Sequence, residues 1–507
     1  MPAARARQFF RRSWPYAAAI ATGAGLALTP YGIERLVTTS PAAALSLGAG
    51  ETRWIDADGP TSSALQLLSL LREAPSHGLD PARYEIAQIE AALSRSASDR
   101  ASRARAERLL SEAFIAYARD LRVPASRTEV AYIDPELAPA APNAEELLAA
   151  PVTADALTEL QQFSPLYEEL RSGLAWYRGR WSKLPQIEIP PGPPLALGSR
   201  DERVTLLRQR LGVPAAADAD RFDERLGEAV REFRQVHGLA SRPVADSETI
   251  KGLNAGAAHY ERLIVANMDR ARGLPADGRR HVLVDSAGAM LQMMEGGRQV
   301  DAMRVVVGKP EMATPELAGF IRYAVFEPYW NVPPDLVRSS IAPQVLQEGA
   351  AALAARKLVL SPDWRSYTTL EPSSVDWASV AAGDDSVWVR QLPGGDNMMG
   401  RVKFMLPNRL GIYLHDTPDK ALFGREDRRL SSGCVRVEDA ERLAQWLFRD
   451  RDIMDGTFKP DQRIDVPEPI PVYITYFTAV PQSGEIRFHK DAYRRDGELL
   501  ARLGTTV

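Results

Sequence analysis

Cysteine is almost missing from this chain. One residue in 507, Cys434, carries a thiol, so no disulfide can close within the chain. No cysteine-based zinc or iron–sulfur centre can form either. Histidine is scarce too: His77, His237, His259, His281, His415 and His489. None stands three to five residues from another, which removes the common His-x-x-x-His zinc spacing. There is no charge excess. The 62 Lys and Arg face 66 Asp and Glu, a formal net charge of −4. A nucleic-acid backbone calls for a basic surface, so that partner class is not expected. At 45% apolar and 25% charged residues, the composition is that of a globular protein rather than a disordered, fibrous or polytopic membrane chain. The length suits three to four domains of about 150 residues. The 37 prolines and 35 glycines call for long connections between elements.

The N-terminus is patterned differently. Arg5, Arg7, Arg11 and Arg12 precede any acidic residue, and Ser13 to Ile33 carry no charge. A basic stretch before a short apolar run is the pattern of an export signal. The uncharged stretch also has the length of a membrane-spanning helix, and the arginines would hold the N-terminus in the cytoplasm. Residues 1–36 are therefore expected to be a signal peptide or an N-terminal membrane anchor, with the remainder periplasmic. A thiol outside the cytoplasm risks oxidation, so retaining a single one suggests that it has a task.

Four regions follow from periodicity. Residues 37–190 read as a helical scaffold, with helices over 64–71, 84–93, 101–121 and 165–181. Trp176, Tyr177 and Trp181 are expected to pack there rather than bind a ligand. The stretch 186–194, QIEIPPGPP, reads as a linker. Residues 191–256 form a compact helical unit, with stripes at Val204, Leu207 and Leu211, then at Leu226, Val230, Phe233 and Val236, closed by Gly238. From 257 to 507 the pattern turns to strands, at 281–285, 290–294, 303–307, 321–326, 402–406, 412–415 and 471–477. A polar, proline-containing insertion over about 334–400, bearing Trp364, Tyr367, Trp377 and Trp388, is long enough to be a lid.

The chemistry-bearing residues lie between 411 and 437. The alternation at Ile412 to His415 puts Tyr413 and His415 on one strand face. Cys434 follows His415 by 19 residues. A thiol needs a base or a positive environment to ionise near neutral pH, and histidine suits that role. Ala440, Leu443 and Leu447 predict a helix from about Glu438, whose N-terminus would favour a thiolate. Gly433 permits close backbone approach, so the Gly433 and Cys434 amides are candidate oxyanion donors. Arg436, two residues past the thiol on an extended segment, would point the same way and could hold a substrate carboxylate. A lone cysteine is also a common core residue, and a lone histidine a common structural one, so spacing alone leaves both readings open.

The whole string narrows the choice. His415, then Ser431-Ser432-Gly433-Cys434-Val435-Arg436, resembles the active-site signature of the L,D-transpeptidase family. Many members carry His immediately before Gly-Cys. This chain has Ser432 there, which leaves His415 as the base. The H-D-T-P step, the S-S-G-C-V-R-V step and the upstream Trp330-Asn331-Val332-Pro333-Pro334 are similar to the large multi-domain Gram-negative branch. The run from Leu197 to Leu211 and that from Phe222 to Ala240 resemble the small helical peptidoglycan-binding domain.

The resemblance implies a multidomain α+β protein: helical scaffold, peptidoglycan-binding domain, and a mainly β catalytic domain with an inserted cap. It implies that Cys434 attacks the third residue of a peptidoglycan stem, releases D-alanine and leaves a thioester. A second stem's amine would then complete a 3→3 cross-link. A carbapenem should acylate the same thiol, and no metal or organic cofactor is required. Implied partners are stem peptides, glycan strands and peptidoglycan synthases. Gly433, Arg436, Ser432 and Tyr413 would bind substrate or the oxyanion. The Asp416 carbonyl, rather than its carboxylate, is expected to orient His415. Hydrolysis as an L,D-carboxypeptidase, or transfer to a lipoprotein, would use the same residues. A non-catalytic wall-binding scaffold and a sortase are the remaining alternatives. In a sortase the arginine usually lies much further from the cysteine.

Overall fold

A computed structural model describes residues 53–504 apart from 98, 149–151, 215–217 and 364–367. The expected export segment, 1–36, lies outside the described residues, as do Trp364 and Tyr367. Among the described residues no helix is long and apolar enough to cross a membrane. The architecture mixes helix and sheet, with helices dominating the N-terminal half and strands the C-terminal half.

The expected scaffold helices form with small boundary shifts: Ser62–Arg72, Ile86–Leu93, Arg100–Arg122 and Pro165–Arg180. Their starts are encoded locally. Asp99 accepts from the Ala101 and Ser102 amides, and Ser164 caps a helix that opens on a proline, both favourable N-terminal chemistry. Leu67, Leu71, Leu110, Phe114 and Leu121 close one core. Tyr177 and Trp181 are buried in another, as packing residues.

The compact helical unit comprises Glu202–Arg210, Glu224–Val236 and Ser247–Ala255, each N-capped by an aspartate. It is not a loosely tethered bead. Its Val204, Leu226, Val230 and Phe233 share one apolar cluster with Tyr177, Trp181 and Phe488. Nor is the proline-rich stretch before it a free tether. Ile189 is fully buried, and the Asn254 side chain accepts from its amide and donates to its carbonyl.

In the C-terminal region eight strands close into a barrel-like ring. Their order is Val402–Met405, Leu414–His415, Val435–Val437, Arg298–Gly308, Met290–Glu295, His281–Asp285, Gln462–Thr475 and Leu317–Phe326. That last strand pairs back with Val402–Met405. The scaffold region adds Ala131–Tyr132 to the far end of Leu317–Phe326. Alternation sends Val305, Val307, Phe404, Leu414, Val435 and Val437 into the ring's core. Their neighbours Val306, Lys403, His415 and Arg436 therefore line the opposite face.

The insertion is more ordered than its polar sequence suggested. Trp330–Asn331, Trp388–Gln391 and Leu358–Ser361 form a three-stranded antiparallel sheet. Helices pack on it around a core of its own, which includes Val332, Ile341, Leu353, Trp377 and Val389. Trp388–Gln391 is the central strand, pairing with Leu358–Ser361 inside the insertion and with Trp330–Asn331 just before it. Such pairing is invisible to a reading of single segments.

Candidate active site

Cys434 and His415 meet through strand pairing. Leu414–His415 runs parallel to Val435–Val437, with Leu414 opposite Val435 and His415 opposite Arg436. Leu414 and Val435 are fully buried, which pins this register. The turn before Val435 then places the half-buried Cys434 beside the Gly411–Tyr413 approach to the histidine strand.

His415 is 2% exposed. Its Nδ1 stands 2.6 Å from the Asp416 carbonyl. A carbonyl only accepts, so Nδ1 carries the proton and Nε2 keeps its lone pair. The Asp416 carboxylate is engaged elsewhere, accepting from the Arg401 amide at 2.9 Å and pairing with Lys420 at 2.7 Å. The carbonyl, as expected, is the orienting group. Burial, then the Arg436 guanidinium, pulls the imidazole down from 6.5 to about 3. His415 is thus neutral across the physiological range.

The thiol is neutral at rest as well. Burial raises its pKa, opposed by hydrogen bonding from the Tyr413 backbone and hydroxyl and by the charge of Arg436. Sγ donates to the Gly411 carbonyl at 3.5 Å, and a direct thiol–imidazole hydrogen bond is not made in this state. The Tyr413 and His415 rings lie 5.7 Å apart, consistent with a shared face.

The turn carrying the thiol is held by two hydroxyls. Ser431 Oγ donates to the Cys434 carbonyl at 2.6 Å and accepts from the Gly433 amide at 3.1 Å. Thr314 Oγ1 donates to the Gly433 carbonyl at 2.8 Å and accepts from the Gly308 amide at 2.8 Å. This corrects one expectation. The Gly433 amide already has a partner, whereas the Cys434 amide makes no hydrogen bond among the described residues, so it is the one free to face an oxyanion. Gly433 earns its place by conformation rather than close approach. Its φ is +117°, and a Cβ there would meet nothing nearer than 3.5 Å.

The expected helix does form, over Ala440–Phe448, but Asp439 caps it and accepts from the Arg442 amide. The strand Val435–Val437 lies between, about 10 Å of extended chain. The helix N-terminus is therefore not a neighbour of the thiol, and that activating contribution drops out. Ser432 is exposed and its side chain makes no hydrogen bond among the described residues. Arg436 is half-buried and makes no ion pair among the described residues, and its Nε is buried without a partner. A desolvated, unpaired guanidinium beside a thiol is suited to receive an anion.

Sequence reasoning missed Ser431 and Thr314. Ser431 sits inside the quoted signature and could have been singled out as a hydroxyl three residues before the thiol. Thr314 lies 119 residues from Gly433 and leaves no local signal. No group of three or more His, Cys, Asp or Glu among the described residues could hold a metal ion.

Comparison with known proteins agrees with this arrangement. Residues 279–494 match the L,D-transpeptidase catalytic domain model named YkuD, and residues 48–174 match a model described as a scaffold domain. A curated Haemophilus influenzae protein, provisionally named an L,D-transpeptidase, is 29% identical over 245 residues, covering 46% of this chain and 48% of the relative. The chain thus matches about half the length of that relative. An L,D-transpeptidase structure from Xylanimonas cellulosilytica aligns at 16% identity over 56% of this chain and 98% of its own, with a TM-score of 0.18. One from Mycobacterium smegmatis aligns at 11% identity over 39% and 58%, with a TM-score of 0.20. Superpositions this loose add nothing to the assignment, which rests on the sequence model and the curated relative. The family likeness is therefore to the YkuD L,D-transpeptidase catalytic domain, over residues 279–494.

Proposed function

We propose that the protein is a cysteine-dependent L,D-transpeptidase that cross-links peptidoglycan stems. The observation that carries this reading is the pairing of the only thiol with a neutral histidine anchored through Nδ1, one strand apart, inside the matched catalytic domain. Cys434 Sγ turns from the Gly411 carbonyl and attacks the carbonyl of the third stem residue. Its proton passes to His415 Nε2, the free lone pair. The Cys434 amide and the Tyr413 donors face the developing oxyanion. His415 then returns the proton to the departing amine, D-alanine leaves, and a thioester remains. An acceptor amine attacks the thioester and loses its proton to Nε2. Collapse expels the thiolate, which recovers that proton, and a 3→3 linkage is formed. Arg436 holds a donor carboxylate.

Around this centre, residues 37–190 act as scaffold, 191–256 as a wall-binding unit and 334–400 as a cap, as in the multi-domain Gram-negative branch. Such a substrate places the catalytic domain outside the cytoplasm, in the periplasm, delivered by residues 1–36. Intact-mass spectrometry of the protein incubated with disaccharide-tetrapeptide tests the reading. An adduct equal to the donor less D-alanine is expected, and it should vanish in Cys434→Ser. An adduct that persists in that variant refutes the assignment. Products formed with an added amine acceptor and with water alone separate transpeptidation from hydrolysis.

A further inference from the structure

Three neighbouring strands put three basic side chains in one row. Lys403 is opposite His415 in the antiparallel pair, and His415 is opposite Arg436 in the parallel pair. Paired residues share a sheet face. Their alternates Phe404, Leu414 and Val435 fill the ring core, so Lys403, His415 and Arg436 all stand on the face opposite it. Val325 and Val306 continue the row at either end and are buried. The base is thus flanked by two cations, each one strand away, with apolar floor beyond.

The two cations have little compensating negative charge at close range. Arg436 has no ion pair among the described residues. The Lys403 side chain is only 18% exposed, its one carboxylate partner, Asp461, is 3.9 Å away, and its ammonium makes no hydrogen bond among the described residues. Asp461 in turn accepts from the Tyr329 amide at 3.1 Å. The other charges nearby do not compensate. Asp416 is paired with Lys420, Asp419 acts on Arg436 only from beyond ion-pair distance, and Arg390 adds positive potential at Lys403. Burying a lysine whose one carboxylate partner stands at 3.9 Å is costly.

We propose that Lys403 is a specificity-determining residue: with Arg436 it forms a two-point clamp for a peptide donor that carries a carboxylate on each side of the carbonyl attacked by Cys434. The inference rests on the proposed function and adds the second anchor. The two Cα positions are two strand spacings apart, about 10 Å. That spacing, with His415 between them in the row, matches the span of a dicarboxylate a few bonds long. A monocarboxylate can satisfy only one of them.

The test uses the full chain and the protection of Cys434 from iodoacetamide. Adipate and hexanoate have the same carbon count and differ in one carboxylate. In the wild type adipate should half-protect at about one-tenth the concentration of hexanoate or less, the value of one added charge-assisted contact. Lys403→Met, which keeps the apolar stem, should abolish the preference. Lys403→Arg should restore it. Equal protection by the two acids in the wild type overturns the clamp even if a variant fails to fold, and so does a preference retained in folded Lys403→Met. Failure of the underlying reading looks different: Cys434 would form no acyl adduct with the tetrapeptide donor, whatever adipate does.

Discussion

Thr314 gives the sharpest test of how the nucleophile is held. It is fully buried, and its hydroxyl bridges the Gly308 amide and the Gly433 carbonyl, both at 2.8 Å. Valine has the same shape without the bridge. Thr314→Val leaves a buried amide and a buried carbonyl unsatisfied, at about 1–3 kcal/mol each. The expected loss is about 2–6 kcal/mol, or a fall in Tm of roughly 4–24 °C for a unit of this size. Activity should fall further than stability explains. The Gly433 carbonyl is one peptide from the nucleophile, and a displacement of order 1 Å costs about 100-fold. Thr314→Ser keeps the hydroxyl, so it should restore most of the rate while losing only a methyl group's packing. The assay is calorimetric melting, paired with the rate of Cys434 acylation at a temperature where every variant is folded. If Thr314→Val melts with the wild type and acylates at the wild-type rate, the bridge does not position the thiol.

Other outcomes can be checked alongside. His415→Ala should slow acylation by about two to four orders of magnitude and leave the fold intact; a wild-type rate in the folded variant removes His415 as the base. Acid should destabilise the protein, because burial lowers His77, His237 and His415 from 6.5 to about 3. In the unfolded chain these groups take up protons below pH 6.5, whereas in the fold they do so only near pH 3. Their stabilisation is complete above pH 6.5 and is lost as pH falls, at up to about 1.4 kcal/mol per unit for each. Urea midpoints at pH 7.5, 5.5 and 4.5 should decline in step, and flat midpoints contradict the buried neutral state. Replacing 334–400 with a short Gly-Ser bridge should impair turnover of tetrapeptide far more than alkylation by iodoacetamide, since the insertion has its own core; parallel loss of both would mean that it supports the barrel instead.

Local chemistry was enough to locate most elements. Helix periods with Asp and Ser caps, and strand alternation at His281–Asp285 and Val402–Met405, are written in short windows of sequence, because capping and alternation act over a few residues. The thiol and its candidate base, Cys434 and His415, were legible through the resemblance of the whole string, since spacing alone left their structural readings open. What the windows could not carry was register. Lys403, His415 and Arg436 become a row only when the core residues between them fix three strands side by side. Thr314 reaches Gly433 only because Arg298–Gly308 pairs with the strands on either side of the thiol turn. The fate of each amide was likewise decided in three dimensions. Ser431 takes the Gly433 amide and leaves that of Cys434 free, because the turn's geometry, not its residue types, sets which donor finds an acceptor. Asp416 lies beside the base in sequence, yet it is the carbonyl that serves it, since strand geometry turns the carboxylate to Lys420 and the Arg401 amide. Sequence by itself determined which groups could react. Non-local strand pairing decided which of them touch, because hydrogen-bond register is set by the burial of distant residues rather than by neighbours along the chain.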